Sequence, residues 1–199
     1  SSISHYKDVF RRERGEHHSG RTLILAEKKG NLLYPGAPVC QDFGNRHFYY
    51  ASNVMNCIFD CEYCYLKGMY PSSDMVVFLN TEDYFRETGE LLKKHPVYLC
   101  ISYDSDLAAM EHLTGFISRW SDFAEDNPGI TIEVRTKSSS GHLWENKPLA
   151  NMIYAFSLNP DAVCRMYEKG APGLSSRLAC IREGIGKGFR VRACFDPLI

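Results

Sequence analysis

The sequence predicts an α/β fold arranged as a partial (β/α) barrel, and three observations predict it. Short runs rich in β-branched and aromatic residues alternate with helical apolar spacing from about residue 75 onward, the mark of βα units and a parallel sheet. Turn chemistry separates the units, as at His95-Pro96, Asp126 to Gly129 and Gly188. A loop dense in cysteine precedes the alternation, and barrels of this kind gather functional residues where strands end and loops begin.

Residues 1–20 are polar and lack clear periodicity, so they read as an N-terminal arm, with one domain over residues 21–199. Arg21 to Ala26 has the composition of a strand, and Lys28 to Asn31 that of a hairpin-type turn. Phe48 to Ser52 is a second strand, which delivers the chain to the cysteine loop, and Met75 to Leu79 is a third. Asn80 or Thr81 then caps a helix whose first turn carries Glu82 and Asp83, placing negative charge at the positive end of the helix dipole.

That helix ends near His95-Pro96, and Val97 to Ser102 is the next strand. Leu107 to Phe123 is one helix by the spacing of Leu107, Met110, Leu113, Phe116 and Ile117. Strands follow at Ile130 to Arg135 and Met152 to Ser157. A helix from about Ser175 to Lys187 leads through Gly188 to a last strand, Phe189 to Phe195. No internal repeat or low-complexity tract stands out.

The 199 residues, 44% hydrophobic and 13% aromatic, suffice for one domain with a real core. No apolar run approaches the ~20 residues of a membrane span, and no N-terminal targeting pattern is visible, so the expected location is cytoplasmic. A formal net charge of −1 argues against bulk electrostatic binding of nucleic acid. Lys7, Arg11, Arg12, Arg14 and Arg21 form a local basic stretch, but Asp8, Glu13 and Glu16 interleave with them, as in a solvated surface segment.

Cys57, Cys61 and Cys64 carry the strongest chemical signal, a C-x3-C-x2-C run. Thiolates hold iron–sulfur clusters, and a cubane needs four ligands, so three cysteines leave one iron open to another molecule. Zinc sites prefer paired C-x2-C units with four ligands, and no second pair occurs. A redox C-x-x-C of Cys61 and Cys64 would leave Cys57 unexplained, and a disulfide framework suits small secreted chains. Cys40, Cys164, Cys180 and Cys194 read as ordinary buried thiols.

The triplet, with Tyr63 in the aromatic place, resembles the C-x3-C-x-aromatic-C signature of the radical S-adenosylmethionine (SAM) superfamily. Further blocks resemble spore photoproduct lyases: Cys61 to Leu66, Ser105-Asp106 with Glu111 to Thr114, Arg135 to Lys137, Phe156 to Asn159, and Arg177 to Ala179 before Gly188-Phe189. The resemblance implies a partial barrel of the radical SAM type. A barrel of that type has six core strands, and the chain ends after the fifth, so the sequence reads as truncated there.

The same resemblance implies a [4Fe–4S] cluster on Cys57, Cys61 and Cys64, and SAM cleaved to a 5′-deoxyadenosyl radical. By position, Lys137 would pair with the SAM carboxylate, Ser105, Ser157 and Asn159 would hydrogen-bond the cofactor, and Tyr63 would pack near its adenine. Tyr65 matches a tyrosine that relays a hydrogen atom. Tyr103 stands where the family has its hydrogen-donor cysteine, while Cys100 is expected inside a strand. The implied partners are SAM, an electron donor such as a flavodoxin or ferredoxin, and DNA carrying a UV-type thymine lesion. Tyr103 keeps open a radical SAM enzyme with a non-DNA substrate, and a non-catalytic metal-binding protein is a third reading.

Overall fold

The computed structural model of the protein describes residues 2–3, 21–38 and 40–196. Apart from Ser2 and Ile3, the expected polar arm lies outside the described residues. Along the chain, β1 (Ser2–Ile3), β2 (Leu23–Lys28), β3 (Leu33–Pro35), β4 (Phe48–Ala51), β5 (Val54–Met55) and β6 (Asp60–Cys61) lead to α1 (Leu66–Met69) and β7 (Met75–Phe78). Next come α2 (Thr81–Leu92), β8 (Val97–Cys100), α3 (Leu107–Thr114), α4 (Phe116–Asp126) and β9 (Ile130–Thr136). A 3-10 turn (Gly141–Trp144), β10 (Met152–Ser157), α5 (Asp161–Tyr167), β11 (Glu168–Lys169), α6 (Leu174–Gly186) and β12 (Val191–Cys194) complete the order.

Strands β4, β8, β9, β10 and β12 lie side by side in chain order, all parallel, with β3 antiparallel along the outer edge of β4. This singly wound sheet is open among the described residues, its edges being β3 and β12, so it forms no closed barrel. Its two faces follow from strand alternation. Leu99, Ile132, Val134, Tyr154 and Phe156 are buried apolar residues of the core. Tyr98, Glu133, Arg135 and Arg192 occupy the alternate positions and bond to one another: Tyr98 and Arg192 both donate to the Glu133 carboxylate, and Arg135 reaches Glu133 and Asp196.

A second sheet, β1-β2-β7-β5, takes in β5 just before the cysteine loop and β7 after it. Here the expected hairpin is corrected. The turn at Gly30 has φ +76°, as glycine permits, but β2 pairs with β1 and β7 while β3 pairs with β4, so the turn links two sheets. Asn80 stands at the start of α2 without capping it. Its amide spans Lys28 N and O at 2.9 and 3.1 Å and donates to Asp83, fastening β2 to the helix.

The single helix expected over 107–123 is two. Gly115, at φ +61°, ends α3 in the left-handed conformation, and α4 starts again at Phe116. Glu111 makes the break tolerable: its carboxylate accepts the N–H groups of Ile117 and Ser118, both at 2.8 Å, covering two donors that a helix start leaves open. The apolar spacing runs unbroken across the glycine, which is why periodicity hides it. Helix α5 was not expected at all; its seven residues fall within a segment whose spacing carries no helical signal.

Candidate functional site

The cysteine loop is anchored at both ends. Asn56, at φ +70°, donates its amide to the carbonyls of Ser72 and Asp74 and accepts the N–H of Cys57 at 2.9 Å. Beyond it, Cys61 in β6 pairs antiparallel with Glu168 in β11, and Cys64 N donates to Cys61 O at 3.1 Å as the chain turns into α1. All eight cysteines are free thiols, Cys61 buried and Cys57 and Cys64 half-buried.

Cys64 is an electrostatic neighbour of both Cys57 and Cys61. Burial pushes the Cys57 thiol up to about 12, with the Asp106 carboxylate adding to the rise. Burial likewise raises Cys61, to about 11, against the nearby Lys137 ammonium. Such thiols hold their protons unless cationic metal replaces them. Among the described residues no three His, Cys, Asp or Glu side chains are gathered in a metal-holding group. The donor set nevertheless fits a cluster in kind: three free thiols on one anchored loop.

Around this loop stand the C-terminal ends of the parallel strands. After β9, Lys137 places Nζ 5.5 Å from the centre of the Tyr63 ring, a cation–π contact. Asp106 organises this corner: it caps α3 through Ala109 N at 3.1 Å and accepts Thr136 Oγ1 at 2.8 Å and Lys137 N at 2.7 Å. Ser105 lies beside it, buried, and its Oγ has no hydrogen-bond partner.

After β10, Asn159 and Ser157 are both buried and both tied to an internal ion pair. Asn159 Nδ2 donates to Glu168 at 2.8 Å, Tyr63 donates its phenol to the same carboxylate, and Arg177 donates to its other oxygen. Arg177 also donates to Ser157 O at 2.9 Å and Pro172 O at 2.8 Å. Burial alone would raise the Glu168 carboxyl, but hydrogen bonds from Tyr63, Asn159 and Arg177 outweigh it and bring it down to about 2. A charged Glu168 therefore fixes Tyr63, from the cysteine loop, against Asn159 from the fourth parallel strand.

Tyr65 and Tyr103 meet on the other side. Tyr65 donates its phenol to Tyr103 O at 2.9 Å and to Asp104 Oδ1 at 3.2 Å, and the two rings are 6.1 Å apart. Ser52, from the end of the first parallel strand, donates to the other Asp104 oxygen. The Tyr103 ring stacks on Tyr50 at 4.2 Å, and its hydroxyl lies 3.2 Å from Cys40 Sγ. Cys40 is thus a half-buried, hydrogen-bonded thiol, not the enclosed core residue expected. Cys100 is buried in β8, as its strand position predicts.

Apart from the three cysteines, the sequence-predicted residues fall into two groups: Tyr63, Ser157 and Asn159 tied to the Glu168–Arg177 pair, with Lys137 over the Tyr63 ring, and Tyr65 with Tyr103 beside Asp104. Ser105 lies between them in sequence, one residue from each aspartate. Sequence reasoning missed Glu168 and Asp104, read Cys40 as an ordinary buried thiol, and took Arg177 only as part of a family block. Only Asp106 and Arg177 had a visible signal, each falling inside a recognisable block.

The fold and site define a class, an open, singly wound α/β sheet that carries a three-cysteine loop at its strand ends. The profile described as spore photoproduct lyase matches residues 48–199. Over 147 residues the chain is 23% identical to the spore photoproduct lyase of Geobacillus sp. (strain Y412MC61) and 26% identical to that of Bacillus subtilis (strain 168). The match takes in 71% of this chain and 43% of each relative. The chain belongs to the spore photoproduct lyase family.

Solved structures agree on the fold. A spore photoproduct lyase complexed with dinucleoside spore photoproduct superposes with a TM-score of 0.82 at 20% identity, over 96% of this chain and 58% of that one. A mutant lyase with bound AdoMet and dinucleoside spore photoproduct gives 0.79 at 20% identity, over 88% and 51%. The chain thus spans about half the length of the relatives it matches.

Proposed function

We propose that residues 21–199 form the catalytic domain of a radical SAM enzyme that acts on a UV-type thymine lesion in DNA. Cys57, Cys61 and Cys64 would hold a [4Fe–4S] cluster and leave one iron for SAM. When bound, the two groups supply a 5′-deoxyadenosyl radical for hydrogen-atom abstraction. The observation that carries the reading is the loop of three free thiols, Cys57, Cys61 and Cys64, and the buried hydroxyl of Ser105, which has no partner among the described residues, supports it as a place for a ligand.

The chain's own residues would do the positioning. Lys137 makes no ion pair among the described residues, so its ammonium is available to the SAM carboxylate. Glu168 holds Tyr63 and Asn159 in place, and Asn159 Oδ1 accepts no hydrogen bond among the described residues, which leaves it for a ligand hydroxyl. The lesion as substrate rests on family membership and on the dinucleoside spore photoproduct bound by a solved relative. No helix among the described residues is long and apolar enough to cross a membrane, and eight free thiols suit a reducing cytoplasm with a flavodoxin or ferredoxin as electron donor.

Anaerobic reconstitution with iron and sulfide tests the proposal. The protein should gain a cluster absorbance that is lost in a C57A/C61A/C64A variant, and with SAM and reductant it should release 5′-deoxyadenosine. DNA carrying the thymine lesion should be repaired. Stoichiometric zinc, or a cluster that never yields 5′-deoxyadenosine, would overturn the reading. Tyr103, in place of a donor cysteine, favours the second reading of a non-DNA substrate; 5′-deoxyadenosine formation without repair would select it.

A further inference from the structure

The pairing of β6 with β11 brings an internal charge against the cysteine loop. Cys61 and Glu168 stand directly opposite each other in that antiparallel ladder, and Glu62 N donates to Tyr167 O at 2.7 Å beside them. Residues opposite each other in such a pair project to the same face. Both side chains are buried. Tyr63, between Cys61 and Cys64, donates to the Glu168 carboxylate, so the loop meets Glu168 at two of its positions. Asn159 donates to the same oxygen and Arg177 to the other, which holds the carboxylate ionised and fixed in place.

The other charges of the loop are of a different kind. Asp60 pairs with Lys67 at 2.8 Å and Glu62 with Lys169 at 2.5 Å, each pair exposed and screened by water. In the interior, the ionised side chains that act on Cys61 are, in falling order, Lys137, Glu168 and Arg177. Glu168 thus outweighs its own partner at this cysteine.

We propose that Glu168 lowers the reduction potential of a cluster held by Cys57, Cys61 and Cys64, and that Arg177 limits how far it falls. The inference rests on the cluster reading proposed above and names the residues that tune it. Reduction brings one electron from a flavodoxin- or ferredoxin-type donor. The fixed negative charge of Glu168 beside Cys61 opposes that electron, and the weaker influence of Arg177 favours it. Burial strengthens both effects, because little water screens a charge inside the protein. Net charge is among the factors that set a cluster's potential. A low potential favours passing the electron on to SAM, and Arg177 keeps the cluster within reach of the donor.

Anaerobic redox titration of the reconstituted full chain, followed by visible absorbance and electron paramagnetic resonance, reads the potential without turnover. Glu168→Gln should move it positive, changing the reduced-to-oxidised ratio at a fixed potential about tenfold, the equivalent of ~59 mV for one electron. Glu168→Asp, which retains the charge, should stay near the native value. Arg177→Met should move the potential the opposite way. Lys169→Gln, at an exposed pair, should change it little, and the Glu168→Gln shift should persist at about 1 M salt, where exposed charges are screened. Should either single variant fail to fold, E168Q/R177M still decides, since loss of the stronger charge leaves its potential above native. A potential unchanged in Glu168→Gln, shifts of one sign in Glu168→Gln and Arg177→Met, or a double variant at or below native would overturn the tuning. A native chain that takes up no cluster would overturn the cluster reading and this inference together, whereas a cluster indifferent to both charges overturns this inference alone.

Discussion

Arg177 and Glu168 form an ion pair in which both side chains are 0% exposed, joining the helix before β12 to the strand that flanks the cysteine loop. The pair stands on hydrogen bonds from both sides, since Arg177 also reaches two backbone carbonyls and Glu168 also receives Tyr63 and Asn159. Its cost in desolvation is spread over a connected network rather than borne by one contact.

Removing one partner should be severe. Arg177→Met leaves a buried carboxylate without its cation and should lower unfolding free energy by about 3–5 kcal/mol. E168Q/R177M removes both charges and retains an acceptor for Asn159 and Tyr63, so its urea midpoint should lie closer to the native one. A double variant no more stable than R177M would show that the charge was not the source of the loss.

Glu111 is predicted to matter through α4. Glu111→Ala leaves the N–H groups of Ile117 and Ser118 without acceptors at a helix start and should cost about 1–3 kcal/mol in denaturant unfolding. Glu111→Gln, which retains one carbonyl acceptor, should cost less. His112→Ala removes a ring that only stacks on His142 at 5.9 Å and should change little.

Much of the fold was legible because it is written in local pattern. The parallel strands and α2 follow from alternation, helical spacing and turn residues between Phe48 and Cys194. The cysteine loop is legible for the same reason, its three thiols lying within eight residues of one another. What stayed hidden depends on register between distant segments. Tyr63 meets Glu168 across 105 residues, and Cys40 meets Tyr103 across 63, so no spacing rule could pair them. Gly115 was hidden differently: the apolar stripe passes through it, and only the left-handed backbone and the reach of Glu111 reveal two helices.

Two glycines of α6 should respond oppositely to the same change. A Cβ on Gly184 would come within 2.6 Å of Trp144 Cη2 and Cζ2, and Trp144 is itself packed on Tyr154 and Phe189. Gly184→Ala should therefore cost about 1–3 kcal/mol through overpacking. Gly186 faces open space, and Gly186→Ala should be neutral or stabilise by roughly 0.5–1 kcal/mol by restricting the unfolded chain. Thermal unfolding of the two variants gives the comparison directly.

His47 should make stability depend on pH. It stacks on His95 at 3.7 Å, and Tyr49 stacks on the same His95 ring. Desolvation first, then the charges of His95 and Arg46, lower the His47 pKa below its usual 6.5. The folded state thus disfavours the imidazolium, and the unfolded chain binds more protons in this range. The His47 contribution is fully present above pH 6.5 and is lost as pH falls through its folded value. His47→Phe, which retains the stack without titrating, should flatten the decline in urea midpoint between neutral and mildly acidic pH. An NMR titration of the native ring placing His47 at or above 6.5 would contradict the assignment.

Ser105 separates stability from binding. Its buried hydroxyl has no partner, so Ser105→Ala removes an unsatisfied group and should stabilise the ligand-free protein by about 0.5–1 kcal/mol. Ser138 offers the contrast, because its Oγ accepts the N–H of Ser140 at 3.1 Å and Ser138→Ala should destabilise by about 1 kcal/mol. If Ser105 Oγ is left open for SAM, the stabilising variant should bind SAM roughly tenfold more weakly, the equivalent of one hydrogen bond of about 1.4 kcal/mol. Equilibrium binding to the anaerobically reconstituted protein measures this, alongside denaturant unfolding of the same variant. Higher stability with unchanged SAM affinity would show that the orphaned hydroxyl is a packing defect and not a cofactor contact.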